Sequence, residues 1–287
     1  MTTPHIEAFF DPNTFSYSYV VWDTATRQGA LIDSVYDYDA VAGKLSSASA
    51  DRMLAHVREH QIDVAWILET HVHADHLSAA VYLQSQCGGQ ICIGARVTEV
   101  QCRFGQIFNF GAELARDGSQ FDRLLRDGER LPLGTLHIEV MATPGHTPAC
   151  VSYKVGDAVF VGDTLFMPDY GTARADFPGG DARVLYESIQ KLLALPEATR
   201  LFMCHDYGSE TRTEFAHETS VGEQRRCNIH IAEKSSADFV CYRQSRDANL
   251  SAPKLLYPAV QFNMRAGHMP EAEANGQAYF KMPVRVA

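Results

Sequence analysis

The chain runs to 287 residues, enough for one large domain or two unequal ones. A formal charge of -10 argues against nucleic acid or an anionic membrane as partner, and no apolar run is long enough to span a bilayer. Seven scattered cysteines without a CxxC pair support neither a zinc knuckle nor a thioredoxin-like motif, and an N-terminus without a basic stretch leading into an apolar one makes the cytoplasm the expected compartment.

In chain order, Phe15 to Asp33 reads as a hairpin, with strand-like Tyr17, Tyr19 and Val21, then Ala30-Leu31-Ile32, around a turn ending at Gly29. Ser49 to His60 has helical spacing, with Met53, Leu54 and Val57 on one face. Ile62 to Leu68 is expected to be a buried strand, Leu77 to Gln86 a helix and Gln90 to Ile93 a short strand. The stretch from Arg96 to Arg130 reads as a helix followed by a loop rich in charge and glycine. Strands are expected at Leu136 to Met141, Cys150 to Val155, Ala158 to Val161 and Arg200 to Met203. An amphipathic helix over Ala182 to Leu193 stops before Pro196. From Glu214 the chain turns helical and ends in an irregular tail from Pro253. Strands in groups with helices between them suggest two stacked sheets with helices outside, although periodicity alone leaves an ordinary doubly wound sheet open. We expect one domain over residues 1–287, with the helical and irregular extension beginning at about residue 214.

The run Thr70-His71-Val72-His73-Ala74-Asp75-His76 follows the apolar Val64-Ala65-Trp66-Ile67-Leu68. Imidazole and carboxylate are costly to bury without partners, and neutral imidazole is the commonest metal-binding side chain. Side chains alternate along extended backbone, so a strand running into a short loop aims His71 and His73 the same way, while Asp75 and His76 serve an adjacent position. Three later segments repeat one design, an apolar strand ending in a ligand-type residue. They place His146 in a Pro/Gly turn, Asp163 after Gly162, and His205 after Cys204. The seven groups suffice for two adjacent metals with a bridging carboxylate, or for one metal surrounded by groups that orient its ligands. No GxSxG, GxxxxGK[ST] or GxGxxG motif is present.

The order HxHxDH, Gly-His, Gly-Asp and a late His resembles the metallo-β-lactamase superfamily from about Phe15 to Tyr207. That resemblance implies an α/β fold, an αββα sandwich of two mixed β-sheets flanked by helices, with a metal site at the sheet edges. Tyr17-Ser18-Tyr19-Val20-Val21, Ile67-Leu68-Glu69-Thr70-His71, Phe160 to Phe166, Arg174-Ala175-Asp176-Phe177, Cys204-His205-Asp206-Tyr207 and Pro258 to Gly267 are similar to its persulfide (sulfur) dioxygenase branch. The branch implies one Fe(II) per chain held by His71, His146 and Asp163, a set that leaves positions for substrate and O₂. The substrate would be glutathione persulfide, oxidised to sulfite with release of glutathione. His73, Asp75, His76 and His205 would then orient ligands and tune the metal. Tyr207 would either donate a hydrogen bond near the open face or simply pack. Arg174 is expected to grip a glutathione carboxylate, with Arg225, Arg226 and Arg265 as weaker choices. The resemblance also implies a homodimer, and leaves open a sulfurtransferase partner supplying the persulfide. Ala175 stands where relatives often carry Thr or Cys, and the 96–130 stretch is longer than in compact relatives.

The chief alternative is a glyoxalase II-like hydrolase of glutathione thioesters with two Zn, since all seven ligand-type residues are present. A catalytically silent binding or redox-sensing protein is the alternative from another class.

Overall fold

The computed structural model describes residues 3–210 and 212–284. In chain order the elements are β1 (His5–Asp11), β2 (Ser16–Trp22), β3 (Gln28–Ile32), β4 (Val35–Asp39), β5 (Lys44–Ser46), α1 (Ala48–Glu59), β6 (Asp63–Leu68), β7 (Leu77–Ser78), α2 (Ala80–Cys87), β8 (Gln90–Gly94) and α3 (Val97–Ile107). There follow β9 (Arg123–Leu125), β10 (Arg130–Leu133), β11 (Leu136–Ala142), β12 (Val151–Val155), β13 (Ala158–Phe160), α4 (Ala182–Leu193), β14 (Arg200–Phe202), β15 (Glu218–Ser220), α5 (Val221–Cys227), α6 (Ser236–Asp247) and α7 (Leu256–Asn263).

Two six-stranded mixed sheets, ordered β1-β2-β3-β6-β8-β9 and β10-β11-β12-β13-β14-β15, lie face to face. The alternation of side chains along each strand assigns the layers. Tyr19, Val21, Ile32, Trp66 and Leu68 of the first sheet meet Ile138, Val140, Tyr153, Phe160 and Phe202 of the second in the central core. Their neighbours Val20, Leu31 and Ile67 point outward to Met53, Leu54 and Leu83 of α1 and α2. Val159 and Leu201 point the other way, onto Leu185, Ile189 and Leu192 of α4 and Phe239 of α6. Strands buried on both faces read as near-continuous apolar runs, as β6 does. The result is the four-layered αββα sandwich that the resemblance implies.

Four sequence expectations change, the first being that the stretch expected to turn helical from Glu214 forms β15 before α5 begins at Val221. Leu77 and Ser78 pair with Tyr36 and Val35 as β7, so the helix expected from Leu77 begins only at Ala80. The tail expected to be irregular from Pro253 contains α7, where Pro258 sits in the first turn and its missing N–H removes no intrahelical bond. The 96–130 loop closes with β9 and the start of β10, and its Phe108, Phe110, Leu114 and Phe121 fill the outer core. No helix among the described residues is long and apolar enough to cross a membrane.

Helix α4 begins where the sequence indicated, because the Asp181 carboxylate accepts from the Arg183 and Val184 amides. Its Ile189 is fully buried against the second sheet. Ile189→Ala is expected to cost about 2–5 kcal/mol of stability through lost burial and a residual cavity. Urea denaturation at fixed metal content measures it.

Candidate metal centre

Parallel pairing of β3 with β6, and of β13 with β14, brings the C-terminal ends of these strands to one edge of the sandwich. Asp33, just after β3 and at φ 49°, uses both carboxylate oxygens on Thr70, taking its amide at 2.7 Å and its hydroxyl at 2.8 Å. That clamp fixes the start of the histidine loop. His71 then lies with Nδ1 3.0 Å from Thr70 Oγ1, and its Nε2 is 3.9 Å from Asp163 Oδ2. His146 enters from the turn after β11, donating from Nδ1 to the Arg174 carbonyl at 2.7 Å, with Nε2 3.8 Å from the same Asp163 oxygen. Gly145 permits this turn, because its φ is 135° and a Cβ there would stand 2.3 Å from the backbone of Leu185 in α4.

The structure divides the seven predicted groups. Ligand atoms of His71, His146 and Asp163 lie within 4.8 Å of one another, and those of His73, Asp75, His76 and His205 form a second set by the same measure. Ser16 Oγ stands between the Nδ1 atoms of His76 and His205, 3.3 Å from each. His73 Nε2 lies 3.0 Å from Asp33 Oδ1 and 3.4 Å from Glu69 Oε2. In every one of these rings one nitrogen is engaged by the protein. The others, Nε2 of His71, His76 and His205 and Nδ1 of His73, are buried without a hydrogen-bond partner, as is Asp163 Oδ1. Buried polar atoms are normally satisfied, and an engaged second nitrogen is the usual arrangement of a ligating imidazole. The residues therefore fit a bound metal.

The electrostatics agree. Burial and the surrounding imidazoles hold His71 well below its ordinary pKa, so it is neutral. His73 and His205 are moved well above theirs: burial opposes charge on each, but Asp33 beside His73, and Asp75 and Asp163 beside His205, outweigh it. Against the upward push of burial, His205 and His76 hold the Asp75 carboxyl below its usual range. Without a cation, the second set thus balances its carboxylates with protons, which a metal must displace.

The remaining predicted residues are distributed as follows. Tyr207 lines the cavity and stacks on His205, rings 9° from parallel with centroids 5.4 Å apart. Arg174 also lines it, but its guanidinium is engaged by the Asp176 carboxylate at 2.6 and 2.7 Å, by the Ser251 carbonyl at 2.7 Å, and by the Phe177 ring. Its contact with the centre is through its backbone carbonyl on His146. Arg226 projects from α5 outside the lining of the cavity. Arg265 is buried elsewhere, donating to the Gln261 carbonyl and lying over Phe110, because it belongs to the turn that ends α7.

Sequence reasoning missed Asp33, Ser16 and Asn263. Asn263 Nδ2 donates to the carbonyls of His73 and His76, and its Oδ1 accepts from the Ser78 amide, all at 2.8 Å. No local motif marks an asparagine that acts across 185 residues of chain. Cys204, considered only for its place beside His205, is buried within ligand distance of both Asp33 with His73 and Asp163 with His205. Above the centre opens a cavity of about 950 Å³. Lys44 of the β4–β5 hairpin and Arg246 and Lys254 of the C-terminal segment line it, and none of these forms an ion pair among the described residues.

The sequence family described as the metallo-beta-lactamase superfamily matches residues 11–205, which contain all seven groups. The chain belongs to the metallo-beta-lactamase superfamily. Within it, the chain is 54% identical to a probable metallo-hydrolase of Burkholderia pseudomallei, over 97% of this chain and 98% of that one. It is 51% identical to a beta-lactamase hydrolase-like protein of Agrobacterium fabrum, covering 99% of this chain but only 65% of the longer relative. Glyoxylase B2 of Dictyostelium discoideum is 45% identical over 97% and 96% of the two chains. The mitochondrial persulfide dioxygenase ETHE1 of Bos taurus is 29% identical over 91% and 88%. Among solved structures, ETHE1 from Myxococcus xanthus superposes with a TM-score of 0.73 at 32% identity, over 92% of this chain and all of that one.

Removing the amide clamp tests the geometry of the loop. Asn263→Ala is expected to weaken metal binding about tenfold, the lower end of what loss of an orienting partner costs. Chelator competition measures it. Because His73 and His205 hold protons tightly without metal, filling of the second set releases protons and its affinity rises with pH. Calorimetry in buffers of different ionisation enthalpy reads that release directly.

Proposed function

We propose that this chain is an iron-dependent persulfide dioxygenase that oxidises glutathione persulfide with O₂ to sulfite and glutathione. The observation that carries the reading is the gathering of His71, His146 and Asp163 within 4.8 Å of one another, with Asp163 also reaching His205. Two imidazoles and one carboxylate suit non-haem Fe(II) oxygenases, in which substrate and O₂ bind beside each other. Likeness to ETHE1 over nearly the whole chain supports it. One persulfide, one O₂ and one water become one thiol, one sulfite and two protons. An iron held by His71, His146 and Asp163 would supply open positions for the terminal sulfur and O₂ and the redox chemistry between them.

The chain's own residues supply the rest. Asp75 and His76 line the cavity beside His146 and Asp163, while His73 and His205 are fully buried, with His205 Nε2 3.3 Å from Asp75 Oδ2. Tyr207, stacked on His205, keeps that ring in place at the cavity wall. Since the Arg174 head is engaged, the carboxylates of a glutathione moiety are assigned to Lys44, Arg246 and Lys254, cations in the cavity lining that form no ion pair among the described residues. The cytoplasm, a homodimer and supply of the persulfide by a sulfurtransferase complete the proposal.

A second reading, hydrolysis of glutathione thioesters at two zinc ions, is favoured by the intact second set and by the likeness to Glyoxylase B2. Metal analysis of the purified protein, with O₂ uptake on glutathione persulfide measured beside hydrolysis of lactoylglutathione, separates the two. We expect one iron per chain and O₂ uptake. Two zincs with thioester turnover and no O₂ consumption overturns the proposal. His146→Ala is expected to abolish iron binding, and retained iron with full activity contradicts the ligand assignment.

A further inference from the structure

Helix α6 lies beyond the residues that carry the superfamily match, yet it holds a charged pair that is almost wholly buried. Arg243 is 1% exposed and Asp247 4%, one helical turn apart. Their contacts converge on a single stretch of backbone. Asp247 Oδ1 accepts from Arg243 Nε at 2.9 Å and from its Nη2 at 2.7 Å, while Oδ2 accepts from the Ala175 amide at 2.8 Å. Arg243 Nη1 donates to the Thr172 carbonyl at 3.0 Å and lies 3.2 Å from its hydroxyl. The Thr172 amide, in turn, donates to His230 Nδ1 at 2.9 Å. Residues 172 and 175 are thus fixed on either side of Arg174, whose carbonyl receives the Nδ1 proton of His146.

We infer that Arg243 and Asp247 are positioning residues for His146, acting through the carbonyl of Arg174. The inference rests on the reading of His146 as a metal ligand. A buried ion pair is a poor source of net stability compared with apolar chains of the same size, so its retention calls for another use. Here the use is directional. The planar guanidinium fork and the carboxylate together set the path of 172–175, and that path sets where the Arg174 carbonyl points. The carbonyl selects the imidazole tautomer with Nδ1 protonated, leaves Nε2 to face Asp163, and limits rotation of the ring. An orienting partner of this kind is worth about 10- to 100-fold in metal affinity.

The test replaces the pair by apolar chains, Arg243→Met with Asp247→Leu, which keeps the volume of the core and leaves no buried charge unpaired. Co(II) serves as the probe, its affinity read by chelator competition and its ligand field by the visible spectrum. Exchange of the His146 Nδ1 proton, followed by NMR on metal-free protein, reports the carbonyl bond without any metal. The expected result is a fall of about 10- to 100-fold in Co(II) affinity, a changed Co(II) spectrum and faster proton exchange, in a protein whose far-ultraviolet dichroism matches the parent. Parent affinity and parent exchange in the folded double variant overturn the inference. Should that variant not fold, Arg243→Lys keeps the charge without the fork and is expected to show the same losses in smaller measure; parent values there overturn it equally. His146→Ala serves as the control for the underlying reading. If it leaves Co(II) affinity intact, the ligand assignment fails and the positioning role falls with it. If it abolishes binding while the α6 variants bind as the parent does, only the positioning role fails.

Discussion

Four imidazole nitrogens and one carboxylate oxygen, all buried and none hydrogen-bonded, face one another at the edge of this sandwich. Each such atom costs about 1–3 kcal/mol when left unsatisfied, and a domain has only about 5–15 kcal/mol of net stability. The arrangement persists because two packed sheets and their helices hold the strand ends where they are. A cation bound there would remove the penalty and so stabilise the fold.

Most of the structure around the centre serves to fix the other atom of each ring. Thr70 and Asp33 hold the start of the histidine loop, Ser16 stands between His76 and His205, and the Arg174 carbonyl takes the proton of His146. The C-terminal segment contributes at two further points. Asn263 of α7 ties down the carbonyls of His73 and His76, and α6 reaches the 172–175 stretch. The superfamily match covers the ligands; the helices beyond it restrain the loops that carry them.

What could be read from the sequence follows from this division. Period-two and period-3.6 patterns located nearly every long element, α4 to the residue, because those patterns record burial. The ligand-type residues were legible because each ends an apolar run and few other roles place a histidine there. Short strands such as β4, β5 and β7 were missed because two to five residues carry too little periodicity. Helix α7 was hidden by Pro258, which reads as a breaker anywhere except the first turn, where it stands. Asp33 and Ser16 left no signal, and Asn263 only that of the Pro258 to Gly267 resemblance, since an isolated polar residue does not reveal a partner 40 to 190 positions away. Arg174 was found by resemblance, but its side chain and its carbonyl do different work, and only coordinates separate them.

The ligand inventory, which leaves one and two metals equally open, therefore divides on proton affinity. Asp163 stands between the sets, with Oδ2 3.8–3.9 Å from His146 and His71 and Oδ1 3.5 Å from His205. On one side His71 is already neutral, so a cation joining it displaces no proton there. On the other side His73 and His205 are bound to protons by Asp33, Asp75 and Asp163, and a second cation has to expel them. The carboxylates placed behind His73 and beside His205 thus couple occupancy of the second set to the release of protons.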